Sequence, residues 1–266
     1  MTTLAGFLLA AQGHIALRPL LGVLVGTTLV IASACVFNNV IDRDIDKHME
    51  RTKKRALVQG TISIRSALLF ASLLGVMGFV LLTWLTNTPT VVLGLIGLVS
   101  YVVLYGYAKR NSVHGTLVGT IPGAVPLVSG YTAVTHSLDN GALLLFLIMV
   151  FWQMPHFYSI AIYRIKDYAA AKLPVMPVKN GVQTTKVQIM LYIVGFSMTC
   201  VVLSIYRYTG TTVAIGMTIV SLYWLYLGAK GWNSPDDTKW ARGMFGFSLL
   251  ALLTFSALLG VESLVP

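Results

Sequence analysis

The chain alternates between long apolar stretches of helical length and short polar connections. Eight stretches are long enough to cross a bilayer, which needs roughly 20 apolar residues; they cover residues 20–41, 66–86, 90–108, 114–134, 141–163, 187–206, 211–229 and 243–262. A ninth, residues 1–11, is too short to cross and lacks the basic start of a signal peptide, so we interpret it as the second half of a helix. Continuous apolarity disfavours a β-barrel. The pattern predicts an all-α, multi-span membrane bundle that forms one domain over residues 1–266.

Composition supports a membrane protein and excludes a large soluble domain. Of the 266 residues, 56% are hydrophobic and 11% are charged, whereas soluble chains carry about 25% charged residues. The two cysteines, Cys35 and Cys200, lie in separate apolar stretches and form no Cys-x-x-Cys motif. The sequence therefore gives little support to a disulfide or a thiolate metal site.

The basic residues are concentrated on one side of the predicted bundle. All of the 19 Lys and Arg residues fall in connections on that side except Arg18 and Arg207. The positive-inside rule makes this side cytoplasmic and places Pro266 on the opposite side. The formal net charge of +10 is thus explained first by the orientation of the spans in the membrane. It does not imply a nucleic-acid partner. A basic face also helps to collect an anionic substrate.

A stripe of oxygen-bearing side chains lies at the cytoplasmic end of the first full span. Asn38, Asp42 and Asp46 follow one another at four-residue intervals, so on a helix they share one face and rise about 6 Å at each step. Asp44 falls on roughly the opposite side, which makes it a control position. Carboxylates four residues apart repel each other on a helix, so this arrangement needs a physical reason.

A divalent cation bound to a phosphorylated substrate supplies that reason. Mg²⁺ takes one or two carboxylates and completes its octahedron with water and substrate phosphate oxygens. Basic side chains that would bind phosphate follow nearby or on the next cytoplasmic loop; they are Arg43, Arg51, Lys53, Lys54, Arg55, Lys109 and Arg110. The alternative is a set of topological anchors and surface ion pairs. Against it, Asn38 and Asn39 lie inside an apolar span, where amides usually face the bundle interior.

Two further polar segments lie in or beside the spans. Trp152, Gln153, Pro155, His156 and Tyr158 form the first, and there Pro155 would kink the helix beside buried polar groups. His156 is interpreted either as a hydrogen-bonded structural group or as a ligand. The second, residues 109–131, is rich in Gly and Pro; we favour helix packing over ligand binding as its role.

Together these motifs resemble the UbiA-type intramembrane prenyltransferases. The resemblance rests on the run NNVIDRDID at residues 38–46, on WQMPHFY at 152–158, and on Asp167-Tyr168 followed by LPVMPV at 173–178. Within that superfamily the motifs are most similar to those of the protohaem IX farnesyltransferases. The resemblance implies nine helices around a central cavity, the first truncated here, in a bacterial inner (plasma) membrane.

The resemblance also implies roles for individual residues. Asn38, Asp42 and Asp46 would hold Mg²⁺ against the diphosphate of farnesyl diphosphate, and Asp167 would supply a second metal site. Asp42, Asp46 and His156 would be catalytic, with His156 contacting haem or handling a proton. Substrate contacts would come from Arg43, Arg51, Lys53, Arg55, Lys109, Arg110, Trp152, Gln153, Tyr158, Arg164 and Lys166, and the faces of Trp152, Phe157 and Tyr158 would shelter a farnesyl cation.

The implied reaction transfers the farnesyl group to a vinyl group of protohaem IX (haem B), with addition of water, giving haem O and diphosphate. Haem is then a substrate and Mg²⁺ the cofactor. Membrane lipid surrounds the enzyme, and haem-A synthase or a terminal oxidase assembly is an expected partner. Two departures from the family pattern, Asn39 in place of Asp and a lone Asp167, argue against two equally held metals. The alternatives are an aromatic acceptor such as 4-hydroxybenzoate and a non-enzymatic transporter.

Overall fold

The computed structural model describes residues 1–263, so the predicted location of Pro266 lies outside the described residues. The described part of the chain contains helices and turns and no β-strand. The helices are α1 Thr2–Ala11, α2 Leu17–Ile41, α3 Arg43–Asp46, α4 Ala56–Gln59, α5 Ile64–Leu85, α6 Thr88–Val99, α7 Gly106–Asn111, α8 Gly115–Thr135, α9 Asn140–Tyr163, α10 Ile165–Ala170, α11 Met176–Lys179, α12 Gly181–Ile205, α13 Thr211–Lys230 and α14 Asp237–Glu262. Eight continuous helical segments are long and apolar enough to cross a membrane, as predicted.

Two of these helices begin about six residues earlier than their apolar stretches predict. Helix α12 begins early because Lys186 lies inside it. Lys186 is buried and donates hydrogen bonds to the carbonyls of Gly231 (3.0 Å) and Trp232 (2.9 Å). Its ammonium also lies 2.6 Å from a carboxylate oxygen of Asp237, in the first turn of α14. Trp240, predicted in a connection, belongs to α14, and Lys186 lies 4.8 Å from its ring centroid. Buried charges with partners are compatible with a helix interior, so hydropathy alone misplaces these boundaries.

The predicted span at 90–108 is interrupted by a π-helix. Residues Ser100–Tyr105 form this wider turn between α6 and α7. Inserted π-helical turns are rare and are often found at functional sites. Here the turn places Tyr101 and Tyr105 on the cavity described below, with their rings stacked at a centroid distance of 5.6 Å.

The helices pack around α8 and α9. Helix α2 packs against α5, α6 and α8, while α9 contacts α8, α12 and α14, and α1 packs against α8 and α14. The close approach of α1 to α8 depends on two glycines. A Cβ on Gly130 would lie 1.9 Å from the Thr3 carbonyl oxygen, and one on Gly6 would lie 2.1 Å from that of Leu127. Gly130 thus has the packing role favoured from the sequence.

Candidate active site

A two-chambered cavity lies between α2, α6, the π-helix, α8 and α9. The inner chamber, of about 250 Å³, reaches from Cys35 to Thr27 along α2 and has a mostly apolar wall. The outer chamber, of about 180 Å³, is lined by polar groups that include Lys109, Ser112, Thr116 and Tyr168. The chambers share Tyr101, Gly119 and Phe157. An apolar pocket that adjoins one with several polar groups in its wall suits an amphiphilic ligand.

The predicted stripe lies at the C-terminal end of α2 and continues into α3. Helical hydrogen bonds continue past that end, since the Asp42 N–H donates to the Asn38 carbonyl and the Asp46 N–H to the Asp42 carbonyl, both at 2.8 Å. All three residues are buried, with exposures of 8%, 7% and 4% in chain order. The side chain of Asp44 is 67% exposed. The continued helix therefore separates three inward oxygen-bearing groups from one outward carboxylate.

Each buried carboxylate of the stripe has a basic partner from another segment. The ammonium of Lys109, in α7, pairs with the Asp42 carboxylate and donates to Asn38 Oδ1 at 2.9 Å. The Arg55 guanidinium lies 2.5 Å from Asp46 Oδ2. These pairs offset the mutual repulsion of the two carboxylates. They also hold positive groups where a phosphate would meet the stripe.

The outward Asp44 holds a third basic group in place. Arg110 donates two hydrogen bonds of 2.8 Å to the Asp44 carboxylate and one of 2.7 Å to the Ile41 carbonyl. These bonds hold the pKa of Asp44 down at about 2, so this carboxyl is ionised at neutral pH. The same guanidinium lies 3.5 Å from Asp42 Oδ1. Asp44 therefore positions Arg110 beside the stripe without belonging to it.

The two faces of α9 have different surroundings. Gln153 and Phe157, four residues apart, line the inner chamber. Trp152 and His156 share the other face: the Trp152 indole donates to the Ser248 carbonyl (2.7 Å), and His156 Nδ1 lies 2.8 Å from the Ser248 hydroxyl. The two rings stack at 4.9 Å. The structure thus places His156 and Trp152 against α14, because the helical repeat puts them on a different face from Gln153.

The other predicted contact residues lie at varied distances from the cavity. Tyr158 is buried and packs on Tyr192 of α12 at a centroid distance of 6.3 Å. Arg43 donates to the Leu57 carbonyl at 2.8 Å, and Lys53 pairs with Glu50 at 2.7 Å. Contacts within their own connection therefore account for Arg43 and Lys53. Among the other predicted basic residues, the exposed ones are Arg51, Lys54, Arg164 and Lys166.

Sequence comparison assigns this architecture to a known family. The chain matches the UbiA prenyltransferase family over residues 1–253. The chain belongs to the UbiA prenyltransferase family. It is 50% identical over 268 residues to the protoheme IX farnesyltransferase of Pectobacterium carotovorum subsp. carotovorum strain PC1, covering 100% of this chain and 90% of that protein. It is 46% identical to protoheme IX farnesyltransferase 2 of Pseudomonas fluorescens strain Pf0-1, with the same coverage.

Solved structures of UbiA proteins share the fold. A digeranylgeranylglyceryl phosphate synthase matches with a TM-score of 0.81 at 18% identity, over 98% of this chain and 91% of that one. A UbiA homologue from Aeropyrum pernix K1 matches with a TM-score of 0.78 at 18% identity, over 99% and 98%. One from Archaeoglobus fulgidus bound to GPP and Mg²⁺ matches at 0.70 and 14%, over 97% and 96%. The predicted fold class is confirmed.

The residues at the mouth of the UbiA cavity fit a magnesium ion. Within residues 1–263, no three His, Cys, Asp or Glu side chains converge on one point. Mg²⁺ on a phosphorylated substrate needs only one or two carboxylates, so such a cluster is unnecessary. Two buried carboxylate oxygens, Asp42 Oδ1 and Asp167 Oδ2, accept no hydrogen bond from the described residues. Oxygen atoms of this kind are hard ligands that suit Mg²⁺.

Asp167 belongs to a different part of the cavity mouth. It lies in α10, 3.6 Å from Arg164 and next to Tyr168, which lines the outer chamber together with Lys109. Burial raises the pKa of the Tyr168 hydroxyl, and the charge of Arg51 opposes that rise. The outer chamber therefore has Lys109 of α7 and Tyr168 of α10 in its wall, with one acidic group beside each.

Sequence reasoning missed several cavity residues. Tyr101 and Tyr105 line the outer chamber, as do Ser112 and Thr116. A signal existed for the first two, because tyrosines four residues apart share one face of a helix and their hydroxyls favour a polar environment in a membrane. The hydroxyls of Ser112 and Thr116 had no comparable signal.

Proposed function

We propose that this UbiA-family protein transfers the farnesyl group of farnesyl diphosphate to a vinyl group of protohaem IX, with Mg²⁺ as cofactor. The acceptor and donor come from the protoheme IX farnesyltransferases that are 46% and 50% identical over the whole chain. The observation that carries the proposal is the buried Asn38–Asp42–Asp46 face with Lys109 and Arg55 against it. A site with both carboxylates and fixed cations suits a metal–diphosphate pair.

The stripe binds the polar end of the donor. Asn38, Asp42 and Asp46 are the residues that would hold Mg²⁺, which, when bound, neutralises diphosphate charge and so assists cleavage of the allylic carbon–oxygen bond. Lys109 and Arg55 then exchange carboxylate oxygens for diphosphate oxygens. Their positive charges stabilise the leaving group as it departs with the bonding electrons.

The inner chamber receives the isoprenoid end. Its wall contains Gly94, Gly97 and Val125 and few polar groups, so it limits the access of bulk water to an allylic cation. Phe157 lies where the two chambers meet. Its ring, rather than those of Trp152 and Tyr158, is the aromatic face of α9 best placed to stabilise that cation.

Asp167 provides the weaker of two metal positions. Its buried Oδ2 accepts no hydrogen bond from the described residues and has only Arg164 nearby, at 3.6 Å, which supports cation binding. The orientation follows from the charges: the basic connections and the stripe face the cytoplasm of a bacterial cell, and the outer end of α14 faces the opposite side. Haem-A synthase or a terminal oxidase assembly is the proposed recipient of the product.

Product analysis tests the proposal directly. Purified protein in lipid nanodiscs is incubated with farnesyl diphosphate, haem B and Mg²⁺, and the haem is analysed by liquid chromatography and mass spectrometry. We expect Mg²⁺-dependent hydroxyethylfarnesyl haem and no reaction in EDTA. Prenylated 4-hydroxybenzoate with unchanged haem would assign the aromatic-acceptor activity instead. Haem transport without covalent change would contradict both activities.

A further inference from the structure

Gln153 has a fixed amide in the wall of the inner chamber. Its side chain is buried, and Nε2 donates to the carbonyls of Thr120 and Met149, both at 3.1 Å. Both amide hydrogens are therefore used, which fixes the direction of the amide oxygen. That oxygen accepts no hydrogen bond from residues 1–263, although Gln153 lines the chamber. The bond to Thr120 ties α9 to α8 and the bond to Met149 lies within α9, but neither bond explains the free acceptor.

The surroundings of this oxygen are mostly apolar. It rests against Gly123, where a Cβ would lie 1.8 Å from Oε1. Pro122 and Pro126 line the same chamber, and Pro126 has no N–H to donate to the Pro122 carbonyl. A water molecule that donates one hydrogen to the Gln153 amide oxygen would present its lone pairs to the chamber.

We propose that Gln153 is a water-positioning residue that directs the hydration step of haem farnesylation; the inference rests on the proposed function. The vinyl π electrons form a bond from the terminal vinyl carbon to C1 of the farnesyl group, while diphosphate leaves with the carbon–oxygen bonding pair. The remaining positive charge lies on the vinyl carbon attached to the porphyrin ring. A lone pair of the held water forms the new carbon–oxygen bond there, and its proton passes to the released diphosphate. Gln153 itself gains and loses no proton.

The ratio of two products tests this inference. Without a positioned water, the cation loses a proton and gives an alkene that is lighter than the hydroxylated haem by one water. Gln153→Met removes the acceptor, and Gly123→Ala displaces it while keeping the glutamine. In both variants we expect the ratio of hydroxylated to alkene product to fall about tenfold or more, the effect of losing one hydrogen bond of about 1.4 kcal/mol. Gln153→Asn shortens the side chain and withdraws the acceptor, so we expect its product ratio to fall as well.

Met154→Leu is the matched control, because Met154 is fully buried in the same helix and its substitution conserves volume. This variant should keep the wild-type product ratio. Wild-type ratios in folded Gln153→Met and Gly123→Ala proteins would overturn the inference. So would loss of all farnesylation in every Gln153 variant at wild-type thermal stability, because Gln153 would then act before the cation forms. Failure of the wild-type protein to farnesylate haem is a separate result, and it would overturn the proposed function together with this inference.

Discussion

The two acidic positions at the cavity mouth differ in their electrostatic support. At the end of α2, two buried carboxylates and an amide meet Lys109 and Arg55 at hydrogen-bonding distance. In α10, Asp167 stands alone with Arg164 at 3.6 Å. A shared face of two carboxylates needs cations to be stable, whereas a single carboxylate does not.

This difference has consequences for metal binding. A site with two carboxylates attracts Mg²⁺ more strongly than a site with one, and its fixed cations also attract diphosphate. We therefore expect the α2 site to hold metal first and Asp167 to bind the metal–diphosphate complex only when substrate is present. We therefore propose that the two positions are unequal parts of one site.

Replacing a carboxylate of the α2 site should have the largest effect. Asp42→Asn keeps the volume and a hydrogen-bonding oxygen but removes the charge that binds metal and pairs with Lys109. We expect turnover to fall about 1,000-fold, as when a main electrostatic group of an active site is lost. Asp46→Asn should behave similarly. Initial rates of haem farnesylation measure both, and a loss below tenfold in either variant would contradict the assignment.

Asp167→Asn should reduce activity less and change its metal dependence more. We expect turnover to fall about 10- to 100-fold, the range seen when a supporting group of a metal site is removed. The Mg²⁺ concentration for half-maximal rate should increase, since one free carboxylate oxygen is lost. A magnesium titration of wild type and variant measures the shift. Equal losses of turnover for Asp167→Asn and Asp42→Asn would contradict the proposal that the two acidic positions are unequal.

Lys109→Met tests the cation of the α2 site. The ammonium contacts Asn38 and Asp42 and lies 5.1 Å from the Tyr105 ring centroid. It is therefore well placed to exchange these partners for the oxygens of a diphosphate. We expect KM for farnesyl diphosphate to increase about tenfold, the effect of one charge-assisted hydrogen bond. Lys109→Arg retains the charge and should recover part of the affinity. An unchanged KM with reduced thermal stability would make Lys109 a structural partner of Asp42 only.

Asp44→Ala should have the smallest effect. The carboxylate is mostly exposed and holds Arg110 near Asp42 from outside the stripe, so we expect a loss of about threefold, typical of a surface ion pair. Because the native pKa is lowered to about 2, the pair stabilises the protein above the ordinary carboxyl pKa and is lost as pH falls through about 2. The ratio of wild-type to variant rates should therefore be constant from pH 6 to 9. A ratio that varies with pH in this range would contradict the ion pair.

Much of the fold was predictable from hydropathy, because bilayer thickness imposes a minimum length on each apolar stretch. The boundaries of α12 and α14 were not, because Lys186 and Asp237 are charged residues within helical segments and are paired across them. The π-helix at Ser100–Tyr105 also left no signal in hydropathy. Its apolar sequence is compatible with an ordinary helix.

The stripe was predictable because a four-residue spacing fixes a helix face whatever the tertiary structure. Its partners were not all predictable: Lys109 and Arg55 reach the carboxylates, whereas Arg43 and Lys53 bind groups of their own connections. Similarly, the polar and aromatic residues at 152–158 are distributed over different faces of α9. Sequence proximity grouped His156 with Gln153, but the helical repeat directs them to different neighbours.

Metal-dependent binding of the donor tests the central claim most directly. Isothermal titration with a non-hydrolysable thio analogue of farnesyl diphosphate measures binding to nanodisc-embedded protein in EDTA and in excess Mg²⁺. We predict that Mg²⁺ strengthens binding to wild type at least about tenfold and that Asp42→Asn abolishes this gain, because the carboxylates bind the diphosphate through the metal. Equal affinity with and without Mg²⁺, or an undiminished gain in Asp42→Asn, would contradict the account.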